Sequence, residues 1–346
     1  MRAGRGEAGR VVEVDVLRAV ALLGICMVNA VDLLGTPVAA GEHRSGAAYW
    51  AYETLLHQRF FPIFSFLFGV SFGLFLRVAE TRVRRPRVVM LARLGFLVPF
   101  GALHRLLYPD EVLLTYAVVG IAVLLPASFA PTAVVFSLGV LGVAAGVAVH
   151  GGVALIPGIF LLGLAAERYG VRRLLDAATG LGLGACVLAA LVLDVWQVGA
   201  GAPAASVLAA GAGVATAAAY MFGVVVLLRT DARRFLAGLA PVGRMALSGY
   251  VGATVMILGV GRLVEPGDGP AVVIGAGVFA VEAVLAWVWS RYARYGPLEW
   301  VWRSLTWWRP VPMRRGRPDA PGEPDASGGG AQVPRTVLDR RRPSRK

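Results

Sequence analysis

Apolar stretches of about 18 residues or more, the length that crosses a ~30 Å hydrocarbon core as a helix, recur along this chain from near residue 14 to near residue 291. No other feature restricts the fold as much. In lipid every backbone polar group must find its partner within the protein, so runs of this kind form spanning helices. Ten spans are expected, at about 14–34, 60–79, 88–107, 111–128, 132–149, 151–167, 176–195, 205–228, 241–263 and 270–291. The composition agrees. Hydrophobic residues make up 57% and charged residues 16%, against roughly 45–50% and 25% in soluble domains, and mean hydropathy is +0.67. The expected fold class is all-α, a polytopic membrane helical bundle.

The formal net charge is +13, and its placement argues for membrane orientation rather than a nucleic-acid partner. Arg2, Arg5 and Arg10 precede the first span; Arg77, Arg82, Arg84, Arg85 and Arg87 follow the second; Arg168, Arg172 and Arg173 follow the sixth; Arg229, Arg233 and Arg234 follow the eighth. The intervening loops carry few basic residues. Alternate basic loops with an even number of spans put both termini in the cytoplasm. The expected location is the bacterial plasma membrane, multi-pass, with the lipid bilayer as partner. Oligomeric state is left open, a homo-oligomer included. Asp15 and Arg18 at the start of the first apolar core argue that this helix is retained rather than cleaved as a leader.

Four segments follow from these patterns. Residues 1–10 form a basic cytoplasmic arm, and 11–293 the transmembrane helical domain. Residues 294–309, with Trp300, Trp302, Trp307 and Trp308, form an interfacial Trp-rich helix that starts at Pro297. Residues 310–346, rich in Pro, Gly, Arg and Asp, form a disordered basic cytoplasmic tail. Small-residue runs such as "LGVLGVAAGVAVHGGVALIPG" let membrane helices approach closely. Cys26 and Cys186 lie alone within spans, without metal-ligand or disulfide spacing, and no metal is expected.

The polar residues within the apolar chain are the candidates for chemistry. In "VDVLRAVALLGICMVNA", Asp15 and Arg18 are one turn apart and Asn29 lies about three turns further along the same face. A local ion pair explains the first two, and a phosphate at the cytoplasmic mouth of a cavity is the functional alternative. All four histidines fall on the outer side. His43 and His150 read as solvated loop residues; His57 precedes a long apolar run. His104 and Glu111 flank the turn of "GALHRLLYPDEVLLTYAVVG" and reach similar depth on adjacent helices. A carboxylate beside an imidazole fixes its tautomer and raises its basicity. A hydrogen-bonded cap on the turn is the structural alternative. Tyr116 is expected to support the same cavity. Glu282, inside the tenth span, is read as a proton carrier or as part of an ion pair or hydrogen bond.

Four stretches carry a resemblance: "VDVLRAVALLGICMVNA", "RFFPIFSFLFGVSFG", "GALHRLLYPDEVLLTYAVVG", and "GRMALSGY" together with "RYGPLEWVWRSLTW". They resemble the YeiB-type family of bacterial membrane proteins, whose domain of unknown function is numbered 418. The resemblance covers about residues 11 to 308. Ala19 and Ser71 stand where the family has glycine, Asp110–Glu111 where it has Gly-Asp, and Gly249 where it has asparagine. That family is similar in turn to the transmembrane acyltransferases, which include the heparan glucosaminide acetyltransferase.

The resemblance implies an integral membrane acyltransferase, moving an acyl group from cytoplasmic acyl-CoA to an extracytoplasmic envelope glycan or lipid. Arg18, Asp15, Asn29, Arg82 and Arg84 would face the donor, and His104 with Glu111, or else His57, would serve as base. A small-molecule transporter is the alternative, and a non-catalytic envelope assembly factor the second.

Overall fold

A computed structural model describes residues 12–36, 46–177, 180–203, 205–264 and 268–314. The arm at 1–10, His43 and the tail from 315 onward lie outside the described residues. The first apolar run becomes α1 (Val12–Leu33), with Glu13 and Asp15 in the first turn, where the helix dipole favours acidic groups. There follow α2 (Ala47–Leu55), α3 (Phe61–Glu80), α4 (Pro86–Arg105), α5 (Leu113–Ala127), α6 (Thr132–Ala148), α7 (Ile156–Ala177), α8 (Gly180–Gly199) and α9 (Val207–Leu227). The chain ends in α10 (Arg233–Arg244), α11 (Ala246–Gly261), α12 (Asp268–Tyr292) and α13 (Pro297–Thr306). The fold is all-α, and the long apolar helices make this a multi-pass membrane protein.

Seven of these helices are long and apolar enough to cross a membrane; α10 and α11 together make an eighth, bent by 83°, and α5 and α6 are shorter apolar helices. The apolar units thus match the expected spans in order, with three differences. The ninth expected span is broken, because Met245 leaves helical geometry between α10 and α11. The sixth runs on past its expected end and kinks at Gly170, whose φ of 104° suits glycine. The first outer loop contains a helix, α2, that the sequence reading left as loop.

α1 is the central helix, packed against α3, α10, α11 and α12. α8 and much of α12 present apolar side chains outward, as lipid-facing helices do. The small-residue run at 138–158 brings α6 and α7 into backbone contact: a Cβ on Gly142 would lie 2.8 Å from the Gly158 Cα. α13 is integral to the bundle. Trp302 donates to the Arg93 carbonyl oxygen of α4 at 2.7 Å, and Leu298 and Trp302 pack against the main apolar core. Trp308, two residues past its end, is exposed.

Candidate functional site

The polar groups gather at two ends of the bundle. At the first, Arg18 lies one turn after Asp15 and binds its Oδ1 at 2.9 Å through Nη1. The same nitrogen donates to the Gly243 carbonyl oxygen at 3.2 Å, and Nη2 donates to Ser71 Oγ at 2.8 Å. Gly243 permits this because its α-carbon lies against the Asp15 carbonyl oxygen, where no Cβ fits. Arg18 therefore joins α1, α3 and α10, and Ser71, a departure from the family pattern, is one of its partners.

Arg18 also lines a cavity of about 250 Å³ with Asp15, Arg93, Arg244, Arg294, Arg303, Glu299, Tyr295 and Trp302. Five arginines face two carboxylates there, and the net positive wall suits a polyanion. The carboxylates are already engaged, Asp15 by Arg18 and Glu299 by α11. Glu299 accepts from Leu247 N at 2.6 Å, Ser248 N at 3.1 Å and Ser248 Oγ at 2.5 Å. Burial pushes its carboxyl up, and these hydrogen bonds pull it back. Arg93 stacks between Trp302, at 3.6 Å, and Phe75, at 4.6 Å. A second cavity of about 660 Å³ shares Tyr295 and Arg303 and adds Arg82 and Arg309. Arg82 thus joins this end; Arg84 is exposed and lines neither cavity.

At the other end the hairpin between α4 and α5 brings His104 and Glu111 together, as its length predicts. His104 Nδ1 lies 3.7 Å from Glu111 Oε2, and both residues are buried. Glu111 also caps α5: Oε2 accepts from Leu113 N at 2.5 Å and Oε1 from Leu114 N at 3.0 Å. The cap and the His–Glu pair coexist. On the opposite edge, His104 Nε2 lies 3.0 Å from Thr254 Oγ1, and the ring sits 4.9 Å from that of Tyr250. The Tyr250 hydroxyl accepts from Val112 N at 3.4 Å, and Asn29 reaches it from α1. Among the described residues His104 Nδ1 has no hydrogen-bond partner.

Tyr108 covers this cluster, its hydroxyl donating to Asp32 Oδ2 at 3.2 Å. Burial and the Asp32 charge both push the phenol up. His57 lies at the edge. Its Nδ1 is 3.1 Å from Glu53, and its ring stacks on Tyr52 at 5.6 Å.

Two expected members lie elsewhere. Tyr116 turns towards α3 and α7, its hydroxyl 2.6 Å from Ser65 Oγ and its ring among Phe64, Phe68 and Phe160. A buried phenol needs a partner, and Ser65 supplies it. Glu282 lines neither cavity at the arginine end, and its Oε2 has no hydrogen-bond partner.

A cavity of about 80 Å³ lies between the two ends. Trp302 closes it towards the arginines, and Tyr250 and Val112 close it towards His104. The sequence reading missed Tyr250, Thr254, Arg93, Glu299 and Asp32. Tyr250 and Thr254 carried a signal, two polar residues four apart on one face of an apolar helix. Arg93 carried another, a guanidinium within a span. Among the described residues no three His, Cys, Asp or Glu side chains are placed to hold a metal ion.

Comparison with known proteins bears on this arrangement. The family model for "Protein of unknown function (DUF418)" matches residues 160–309. Over that region the chain is similar to the DUF418 family, in line with the resemblance read from its motifs. It is 29% identical to an uncharacterized 39.9 kDa protein of the amylase 3' region in Bacillus acidopullulyticus, over 88% of this chain and 96% of that one. YxaH of Bacillus subtilis (strain 168) is 25% identical, over 87% and 96%. YeiB of Escherichia coli (strain K12) is 34% identical over 32% of this chain and 30% of its own. No solved structure matches the chain. The DUF418 match begins inside α7 and takes in α11 and α13, with Tyr250, Thr254, Glu299 and Trp302; Arg18 and the His104 hairpin precede it.

Proposed function

We propose that this protein is an integral membrane acyltransferase that takes its acyl group from acyl-CoA. One observation carries the reading. Trp302 lines both the five-arginine cavity and the small apolar cavity beyond it, and the far wall of the small cavity is Tyr250, which packs on His104. A donor with a phosphorylated head and a narrow arm fits that sequence of spaces. The phosphates meet Arg303 and its neighbours, the thioester arm passes Trp302, and the acyl carbonyl approaches the Tyr250–His104 side.

His104, with Glu111 beside Nδ1, takes the proton of an acceptor hydroxyl or amine. That acceptor attacks the thioester carbonyl, the C–S bond breaks, and coenzyme A leaves as the thiolate. The acceptor, an envelope glycan or lipid, enters from the histidine end by displacing Tyr108 from Asp32. On the charge pattern the arginine end faces the cytoplasm. A transporter is the second reading, favoured by Glu282 within a span, which forms no ion pair among the described residues.

Thermal unfolding of the purified protein in detergent, with and without coenzyme A or acetyl-CoA, tests the donor site. Ligand at about 100 times its dissociation constant adds roughly 2.7 kcal/mol of stability. The expected result is a shift that Arg303→Ala abolishes and His104→Gln retains, with transfer lost in His104→Gln. A folded sample with no shift removes the donor site and puts the transporter reading first.

A further inference from the structure

Glu282 is the buried acid that neither end of the bundle uses. It lies well inside α12 and is 7% exposed. Among the described residues it forms no ion pair, and its Oε2 has no hydrogen-bond partner. The other carboxylates that line the two ends have partners: Asp15 has Arg18, Glu111 has two backbone N–H groups, and Glu299 has Ser248.

The space around Glu282 is shaped to its side chain. α11 presents glycines: a Cβ on Gly252 would lie 3.1 Å from Oε1, and one on Gly249 would lie 3.6 Å from Oε2. α1 brings Cys26 within electrostatic range of it. Among the described residues no cation on α1, α10 or α11 forms an ion pair with it. A carboxylate in that position is a buried charge without a counter-ion, whereas the neutral acid is a small polar group that the glycines accommodate.

We propose that Glu282 is a proton-binding site inside the bundle: α11 closes on α12 while the carboxyl holds its proton, and the contact loosens when the proton leaves. The effect reaches the histidine end along α11. Tyr250 and Thr254 lie beside Gly249 and Gly252 on that helix, and they are the residues that hold His104. A proton on Glu282 therefore favours the seated form of the His104 cluster. The site is independent of acyl transfer, since a proton-coupled carrier would use it equally.

Dicyclohexylcarbodiimide, an apolar reagent that partitions into membranes and detergent, reads this state directly. It takes the proton of a neutral carboxylic acid onto its nitrogen while the carboxyl oxygen bonds its central carbon. The adduct then rearranges to a stable N-acylurea, with no group lost. The experiment uses the purified full-length protein in detergent and peptide mass spectrometry. The expected result is an adduct on Glu282 that falls roughly tenfold or more between about pH 6 and about pH 9 and is absent in Glu282→Gln.

Melting temperature supplies the second measurement. The proton-bound fold loses stability as pH rises, so wild type falls progressively below Glu282→Gln towards alkaline pH. No adduct on Glu282 in a folded sample, an adduct independent of pH, or parallel melting curves for the two proteins overturns the proposal. If Glu282→Gln does not fold, the wild-type labelling profile decides alone.

Discussion

Arg59 at the histidine end and Arg303 at the arginine end are the same residue in opposite circumstances. Arg59 is 1% exposed and uses its whole fork. Nε donates to the Thr54 carbonyl oxygen at 3.2 Å, Nη1 to that of Ala209 at 3.1 Å, and Nη2 to Asp194 at 2.9 Å and Gln197 at 3.3 Å. Burial pushes its guanidinium down, and Asp194 holds it up. Arg303 lies half-buried over the Tyr295 ring at 4.8 Å and lines two cavities. Arginine within an apolar chain is thus no guide to function on its own. What separates the two is whether the protein has already satisfied the guanidinium. Arg59 ties the turn before α3 to α8 and α9, while Arg303 stands beside open space.

The contrast breaks first on stability. Arg59→Ala leaves the half-buried Asp194 and the buried Gln197 without their cation, and losing one partner of a fully buried pair costs about 3–5 kcal/mol, an upper bound here. The expected outcome is a large fall in thermal stability in detergent, or failure to accumulate as folded protein. Arg59→Lys restores the charge without the fork and recovers part of it. If Arg59→Ala melts with the wild type, the network at the histidine end is not structural and the distinction fails.

Glu111 sharpens the contrast with an intermediate effect, because it both caps a helix and faces a histidine. Glu111→Ala strips the acceptor from the first N–H groups of α5, a loss of about 0.5–2 kcal/mol by analogy with helix caps. Glu111→Gln keeps an acceptor oxygen and falls by less, while removing the charge beside His104. Equal melting of Glu111→Gln and wild type, with transfer reduced, separates the two roles. Equal melting of Glu111→Ala and wild type would show that the cap contributes nothing.

These distinctions track what was legible before the structure. The order of apolar units could be read because length alone decides whether a run spans a bilayer. Asp15 with Arg18 could be read from spacing within one helix, and His104 with Glu111 from a hairpin short enough to fix their depth. Depth without rotation is not enough, and Tyr116 shows why: it lies near the right level but faces Ser65 and the phenylalanines of α3. Thr254 and Tyr250 meet the hairpin from 138 to 150 residues away in sequence, so no local pattern pairs them with it. Glu299 was hidden differently. The Trp-rich segment reads as a surface anchor, and only the packing of α13 under α11 turns its carboxylate towards Ser248.

The smallest effect on stability is the one that most directly tests the arginine end. Arg303 forms no ion pair among the described residues, so its removal costs the protein little beyond its contact with Tyr295. Arg303→Ala is expected to melt within about 0.5 kcal/mol of wild type, as substitutions away from buried networks do. The same variant should lose most of the coenzyme A shift, and in wild type that shift should shrink as salt screens the cationic wall. Arg84→Ala, outside both cavities, should leave both stability and shift unchanged. If Arg303→Ala destabilises as much as Arg59→Ala, its guanidinium is structural, and the open cavity is a by-product of packing rather than a place for a ligand.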